Sequence, residues 1–336
     1  MNLNFGEKFD KGVEKTKEIG KSALKKIPAA LAVGLTMLPN SGEAGNNHPA
    51  EPEPRVINMN QETFKSPELR SHLDQNMPDG VTRYFVYVEN KENPVASVFY
   101  LDENKTNISF QTNDMHPQAF SGDINYESLD KQLNNMNEEL VLAFPGAYKS
   151  PSGEIEGVAI EQGQMVGENS YSKWHGFVYI TLNGSMEMYR LRDAQNNFQK
   201  DEADKLVARA QNEHGSLFQQ IPAIWDGEKK LHSTSTSKFE WRAICQTKDG
   251  KKFIINSHEK STQEEFLVMC NELTDGNGNL LVDDLMLVDT GIYSEAVFRD
   301  KNQIQNDSTF ESYPMRDENY PNKQGYTNVV VVAVEK

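Results

Sequence analysis

The sequence predicts an α+β fold: a single main domain with a large, twisted, mostly antiparallel or mixed sheet and a few packed helices. Three observations predict it. Short runs rich in β-branched and aromatic residues recur from Val81 to Val334. Several of these runs are joined by Gly-containing turns typical of hairpins. Three stretches with apolar residues at helical spacing lie between them, as expected of an α+β domain.

The strands are predicted from short apolar runs and from the turns that flank them. Asn183-Gly184 and Asp249-Gly250 are the clearest hairpin turns. The run Val329–Val332 is apolar on both faces, which predicts a strand in the centre of a sheet. In chain order the predicted strands are 81–88, 95–101, 140–144, 157–160, 165–166, 177–180, 185–189, 241–246, 252–256, 284–289 and 328–334.

The predicted helices are Tyr126–Met136, Asp201–Asn212 and Ser261–Leu273. Each has apolar residues three and four positions apart, which places them on one face. The third opens with Ser261-Thr262-Gln263-Glu264, which fits a capping box that begins at Ser261. We therefore expect three helices packed on the sheet.

The N-terminal region, residues 1–44, resembles a targeting segment. Two lysines precede the twelve-residue, mostly apolar stretch Ile27–Leu38, and small residues follow at Gly42 and Ala44. This is the pattern of a secretory signal, and it predicts export to the periplasm, the cell envelope or the exterior. Residues 1–26 also carry apolar residues at amphipathic helical spacing, so residues 1–38 are a candidate membrane-contacting segment. The alternative is therefore an uncleaved helix that lies on a membrane surface or on a partner.

The domain boundaries follow from composition. Residues 45–80 are rich in Pro and Gly at their start, which indicates a linker and lead-in. Residues 81–336 carry the strand and helix signals without a second linker, and they form the predicted main domain.

The charge of the chain excludes one class of partner. The formal net charge is −16, and residues 1–50 hold seven lysines against five acidic residues, so residues 51–336 carry −18. Phosphate backbones are bound by clustered Lys and Arg. We therefore expect no nucleic-acid partner.

The two cysteines, Cys245 and Cys270, exclude a disulfide-dense scaffold and a four-cysteine zinc site. Both lie among apolar residues, which predicts that they are small core residues. A single disulfide between them stays open as the alternative.

One segment resembles the start of a calcium loop, because oxygen-bearing side chains alternate along it. Its sixth and twelfth positions are Leu280 and Met286, where such a loop needs Gly and Glu. The pattern therefore favours a Gly-rich turn, and no cofactor is predicted. If calcium binds, the candidate ligands are Asp275, Asn277, Asn279 and Asp283.

The order of motifs resembles the phosphodiester glycosidase domain family, including its bacterial branch associated with exopolysaccharide metabolism. A helix and an apolar strand run into Pro145-Gly146-Ala147-Tyr148, where that branch has a Gly-containing F-A-M-N-A-G-M-F run. The other matching segments follow in the family's order. They are 157–163, the hairpin 177–189, 219–227, 237–242, 253–257, 262–273 and 285–291.

The resemblance implies hydrolysis of a sugar-1-phosphodiester in a glycan or envelope polymer. Such cleavage passes through an oxocarbenium-like state that a carboxylate stabilises. By resemblance that carboxylate is Asp289, and Arg242 is the partner of the phosphate or of the carboxylate. The implied substrate-binding residues are Gly146, Tyr148, Gln219, Gln220 and Ser237.

Several positions depart from the family pattern, and polar or Gly positions are the ones that change. Phe144 replaces an Asn, Ile221 replaces a Gly, and Thr290 replaces the Gly of a final Asp-Gly; Ala243-Ile244 replaces an Asn-Gly. Two alternatives to the enzyme follow. One is a catalytically inactive, glycan-binding member of the same fold, and the other is an envelope interaction protein.

Overall fold

Two antiparallel sheets form the body of the protein in the computed structural model. The model describes residues 69–74, 76–88, 91–120, 125–149, 154–193, 195–229, 236–274, 279–289, 297–299, 304–306 and 327–336. The predicted targeting segment, residues 1–44, and most of the predicted lead-in lie outside the described residues. No helix within these ranges is long and apolar enough to cross a membrane.

The strands have the following bounds in chain order. They are β1 Leu69–Asp74, β2 Val81–Val88, β3 Ala96–Leu101, β4 Thr106–Thr112, β5 Glu138–Phe144, β6 Ala159–Glu161, β7 Gln164–Met165, β8 Gly176–Ile180, β9 Met186–Arg190, β10 Ser216–Trp225, β11 Glu228–Lys229, β12 Arg242–Gln246, β13 Lys252–Ser257, β14 Asp284–Leu287, β15 Val297–Arg299, β16 Ile304–Asn306 and β17 Asn328–Glu335.

The larger sheet has the main order β1-β2-β3-β13-β12-β14-β10-β6-β7, with β11 and β8 also paired to β10, and β9 paired to β8. The smaller sheet has the order β16-β15-β5-β17-β4. Every pairing among the described strands is antiparallel. β17 lies between β4 and β5, so the prediction of a central strand at Val329–Val332 is confirmed.

Three α-helices are described: α1 Tyr126–Asn135, α2 Lys200–Asn212 and α3 Gln263–Cys270. The capping box of α3 begins one residue later than predicted. The hydroxyl of Thr262 accepts from the N–H of Glu265, and the Glu265 carboxylate accepts from the N–H of Thr262. Ser261 is not the cap because its backbone pairs with Phe239 in a β-bridge.

The main apolar core contains side chains from both sheets. Phe99, Ile244 and Met286 from the larger sheet belong to one buried cluster with Phe110 and Val330 from the smaller sheet. The α+β class and the mostly antiparallel pairing are therefore confirmed, and the strands divide between two sheets. The two-sheet arrangement buries the apolar face of each sheet, which a single solvated sheet would leave exposed.

Several features were not predicted. β1 begins upstream of Val81, so the sheet includes the end of the predicted lead-in. β4 and β10 were also missed, although β10 pairs with β8, β6, β14 and β11. The prediction that Cys245 and Cys270 are small core residues is confirmed, since both are buried free thiols, and burial raises the pKa of each well above its ordinary value.

Candidate functional site

The carbonyl of Gly146, in the loop after β5, joins three of the predicted site residues. Its oxygen accepts from the backbone N–H of Asp289 at 3.0 Å and from Nε2 of Gln220 at 2.8 Å. Asp289 lies just after β14, and Gln220 lies on β10. One carbonyl therefore connects the loop after β5 to two strands of the larger sheet.

Asn328, the first residue of β17, holds this loop in place from the smaller sheet. Its Oδ1 accepts from the N–H groups of Gly146 and Ala147 at 3.1 and 2.8 Å, and its Nδ2 donates to the carbonyl of Ala147 at 3.0 Å. Sequence reasoning missed Asn328. The available signal was a single polar residue at the start of an otherwise apolar central strand. Such a residue is buried only when its polar atoms form hydrogen bonds.

Gly146 is required by packing against β17. A Cβ at this position would lie 2.8 Å from Cγ2 of Val330 and 3.3 Å from Oδ1 of Asn328. The absence of a side chain lets the loop approach the strand closely. The close approach that Gly146 allows is therefore to β17.

Tyr148 and Asp289 lie beside each other at this end of the sheets. Asp289 is 8% exposed. Burial raises the pKa of Tyr148 well above its ordinary value, and the negative charges of Asp289 and Glu156 raise it further. Glu156 is half-buried and its N–H donates to the carbonyl of Tyr148 at 2.8 Å. Tyr148 therefore lies in the field of two carboxylates, of which sequence reasoning found one.

Two polar atoms of the site are buried without a hydrogen-bond partner in the described part of the chain. They are the phenolic oxygen of Tyr148 and Oε1 of Gln220. Buried polar atoms are almost always bonded, since an unsatisfied one costs about 1–3 kcal/mol. The Gln220 oxygen can accept a hydrogen bond, and the Tyr148 hydroxyl can donate or accept one. Two such atoms near Asp289 indicate a site in which a polar ligand or an ordered water supplies the missing hydrogen bonds.

Lys149 is a half-buried cation beside the same carboxylate. Burial lowers the pKa of its ammonium group to about 8, and the negative charge of Asp289 acts in the opposite direction. The sequence search for a local cation considered Arg242 and missed this lysine. A lysine next to Tyr148 carries no motif, so only the fold shows that it lies near Asp289.

Arg242 supports the site from within the core. It is 1% exposed, its Nε donates to Oδ1 of Asn256 at 2.9 Å, and its guanidinium lies 5.7 Å from the centre of the Phe144 ring. Its carbonyl accepts from the N–H of Val288 at 3.1 Å, which fixes the residue before Asp289. The guanidinium is packed inside the protein, on a strand that pairs with β14, the strand just before Asp289.

Gln219 points away from Gln220, because successive side chains of a strand lie on opposite faces. Its Oε1 accepts from the N–H groups of Val158 and Ser172, each at 2.9 Å, and its Nε2 donates to the carbonyl of Trp174 at 2.5 Å. The amide is 1% exposed and bonded on both ends. Gln219 therefore braces two loops on that face of β10.

The other predicted residues lie apart from these contacts or outside the described ranges. Ser237 is exposed just before the bridge residue Phe239. Asp283 lies at the other end of β14, beside Asp284, whose pKa burial raises to about 6. Asn279 is exposed. Asp275, Asn277 and Thr290 lie outside the described residues. Within the described ranges, no group of three or more His, Cys, Asp or Glu side chains could hold a metal ion.

Comparison with known proteins gives a distant structural likeness. No family model and no curated protein sequence matches the chain. The chain is similar to a solved structure of the catalytic domain of zebrafish N-acetylglucosamine-1-phosphodiester alpha-N-acetylglucosaminidase, auto-inhibited by its pro-peptide. The two are 12% identical with a TM-score of 0.42, over 84% of this chain and 88% of that one. At this level of similarity, any functional argument must come from the site itself.

Proposed function

We propose that the protein hydrolyses a sugar-1-phosphodiester in a glycan or envelope polymer. The bond that breaks joins the anomeric carbon to the oxygen of the phosphate group. The observation that carries the proposal is the pair of buried, unpartnered polar atoms on Tyr148 and Gln220 beside the buried carboxylate of Asp289. A sugar offers hydroxyl groups that donate to the Gln220 oxygen and bond to the Tyr148 hydroxyl.

Two carboxylates near one tyrosine fit this chemistry. Glycoside cleavage builds positive charge on the anomeric carbon, and a pair of Asp or Glu residues divides the work of stabilising that charge and activating water. We assign the first role to Asp289, which is the more deeply buried of the two, and the second to the half-buried Glu156. Tyr148 interacts electrostatically with both carboxylates, and its hydroxyl group orients the sugar.

The phosphate needs a cation, because the chain beyond residue 50 is strongly acidic. Lys149 is half-buried next to Asp289 and supplies one. An ammonium group in a partly dry site attracts phosphate more strongly than it would in water. It also leaves the phosphate as a good leaving group that needs little further proton transfer.

A non-catalytic glycan-binding protein is the second candidate. The observation that favours it is the burial of Arg242 beside Phe144, which keeps the predicted phosphate partner inside the core. A binder would retain affinity for the same sugar-phosphodiester without turning it over.

The test is to incubate the full chain with synthetic sugar-1-phosphodiesters and to measure the release of reducing sugar. We expect Asp289→Asn to reduce kcat by roughly 10²–10⁴-fold, the usual contribution of one catalytic carboxylate. The matched control is Asp201→Asn, the same change at an exposed residue of α2. Equal rates in the two variants would remove Asp289 from the mechanism, and binding without turnover in the wild type would establish the second candidate.

We also propose that the protein is exported, as residues 1–44 indicate. N-terminal sequencing of the mature protein tests this. We expect a start after Gly42 or Ala44, and an intact Met1 in the exported fraction would contradict cleavage.

A further inference from the structure

Two arginines lie around one turn at the end of β9. Nη2 of Arg190 donates to Oδ1 of Asn196 at 3.2 Å, and Nη1 of Arg192 donates to the carbonyl of Asn196 at 3.3 Å. Asn196 has a φ of 66°, in the left-handed region where Asn is among the tolerated residues. The turn thus places two guanidinium groups around one residue.

Asp193 braces this turn from within. Its Oδ1 accepts from the N–H groups of Gln195 and Asn197 at 2.9 and 2.8 Å, and its Oδ2 accepts from Nδ2 of Asn197 at 3.0 Å. Both oxygens of the Asp193 carboxylate are therefore occupied by hydrogen bonds within the turn. Asp193 therefore orders the turn rather than forming an ion pair with either arginine.

Neither arginine forms an ion pair with a carboxylate within the described ranges. Arg209 on α2 shows the usual arrangement for comparison, since it pairs with Glu187 at 2.8 Å and with Glu213 at 3.0 Å. The two arginines lie two positions apart in an acidic chain, yet neither is paired with a carboxylate of the described residues. Like charges held this close repel each other.

His175 completes the group. Its carbonyl accepts from the N–H of Leu191 at 2.8 Å, and its ring stacks on Phe198 with ring centres 4.2 Å apart. Its Nδ1 is buried and has no hydrogen-bond partner among the described residues. Burial and then the charge of Arg192 lower the pKa of His175, and burial and then the charge of Arg190 lower that of Arg192. The three side chains are therefore close enough for their charges to interact.

The group lies at an edge of the larger sheet, because β9 pairs with β8 alone among the described strands. Arg190 pairs across the strands with Gly176, and Gly176 pairs with Gln220. Neighbouring strands lie about 4.8 Å apart, so the backbone of Arg190 is roughly 10 Å from that of Gln220. Side chains two residues apart share a face, and Met188 and Phe218 place Arg190 and Gln220 on the face that meets the smaller sheet. His175 lies on the other face, where its ring stacks on Phe198, so it meets the arginines around the edge strand.

We propose that Arg190, Arg192 and His175 form an anion subsite at the edge of the larger sheet, two strands from Gln220, that binds a phosphate group of the substrate. This rests on the proposed function and extends it: the substrate is an anionic, phosphate-bearing glycan, and these arginines bind a phosphate group of it in addition to the one that lies at Lys149. Planar guanidinium groups bind phosphate oxygens in pairs, which suits two arginines around a rigid turn. Nδ1 of His175 supplies the third contact.

The test is calorimetric titration of the full-length protein with inorganic phosphate at low ionic strength. We expect saturable binding by the wild type, about tenfold weaker binding in Arg190→Gln or Arg192→Gln, and a further loss in the double variant. The control is Lys205→Gln, which removes one exposed positive charge on α2 and should leave the affinity unchanged. Binding should weaken with added salt.

The outcome is separable from that of the proposed catalysis, because Asp289→Asn should bind phosphate as well as the wild type does. The absence of saturable binding by the wild type would overturn the subsite. Equal affinities in the wild type and the folded double variant would also overturn it. If the subsite is correct and the catalytic proposal wrong, phosphate will bind at the arginines while no sugar-phosphodiester is cleaved.

Discussion

Replacing Asn328 with alanine tests the way in which the two sheets hold the candidate site. This side chain reaches from β17 to both the N–H and the carbonyl of Ala147, and to the N–H of Gly146. The same loop carries the Gly146 carbonyl that binds the N–H of Asp289. Removing the Asn328 amide should therefore weaken the fold and loosen the position of Asp289.

The magnitude follows from the bonds that are lost. Asn328 is 1% exposed, so Asn328→Ala leaves two N–H groups and one carbonyl without their partners in the interior. At the lower limit of about 1 kcal/mol for each unsatisfied group, the free energy of unfolding falls by about 3 kcal/mol. A matched control is Asn107→Ala, which removes one side-chain bond, from Nδ2 to Glu138 at 2.6 Å, and should cost about 1 kcal/mol.

The assay is urea denaturation of both variants, followed by hydrogen exchange at the N–H groups of Gly146 and Ala147. We expect Asn328→Ala to lower the denaturation midpoint more than Asn107→Ala and to speed exchange at those two groups. Equal midpoints with unchanged exchange would refute the reasoning, since the loop would then be held by something other than Asn328.

Two further predictions concern charged residues near Asp289. The folded-state pKa of Lys149 is about 8, which lies below its ordinary value of 10.5. The buried charge therefore lowers the free energy of unfolding by its full amount below pH 8, and this destabilisation disappears as the pH rises toward 10.5. The stability of the wild type relative to Lys149→Met should therefore rise with pH in that window, as thermal unfolding at several pH values would show. A constant difference would contradict it. Arg242→Met should reduce the free energy of unfolding by about 1–3 kcal/mol, because it leaves the buried oxygen of Asn256 without the Arg242 donor. In urea denaturation, the double variant with Asn256→Leu should lose less than the sum of the two single variants, and strict additivity would disprove the coupling.

The sequence was sufficient to predict the elements whose local pattern matches their final environment. Val329–Val332 is apolar on both faces and lies in the centre of a sheet, and Asn183-Gly184 joins β8 to β9. β10 was missed because Gln219, Gln220 and Pro222 interrupt its apolar pattern. The two glutamines are polar for tertiary reasons: Gln219 bonds to loop backbone, and Gln220 bonds to Gly146.

The site was predictable only in part, for the same physical reason. Asp289, Gln220 and Gly146 were named from the order of motifs, and the fold joins them through one carbonyl. Lys149 and Asn328 carry no motif, because their roles depend on residues far away in the chain. Local spacing reports which face a side chain takes, whereas the partner that it meets is decided by how the strands pair.

The position of ¹⁸O in the products of hydrolysis in labelled water tests the central claim most directly. Attack at the anomeric carbon places the label in the released sugar and leaves the phosphate oxygens unlabelled, and this is the result we expect from the wild type. The rate of incorporation should fall by roughly 10²–10⁴-fold in Asp289→Asn. Label in the phosphate would show that the P–O bond breaks, and it would contradict a glycosidase mechanism built on Asp289.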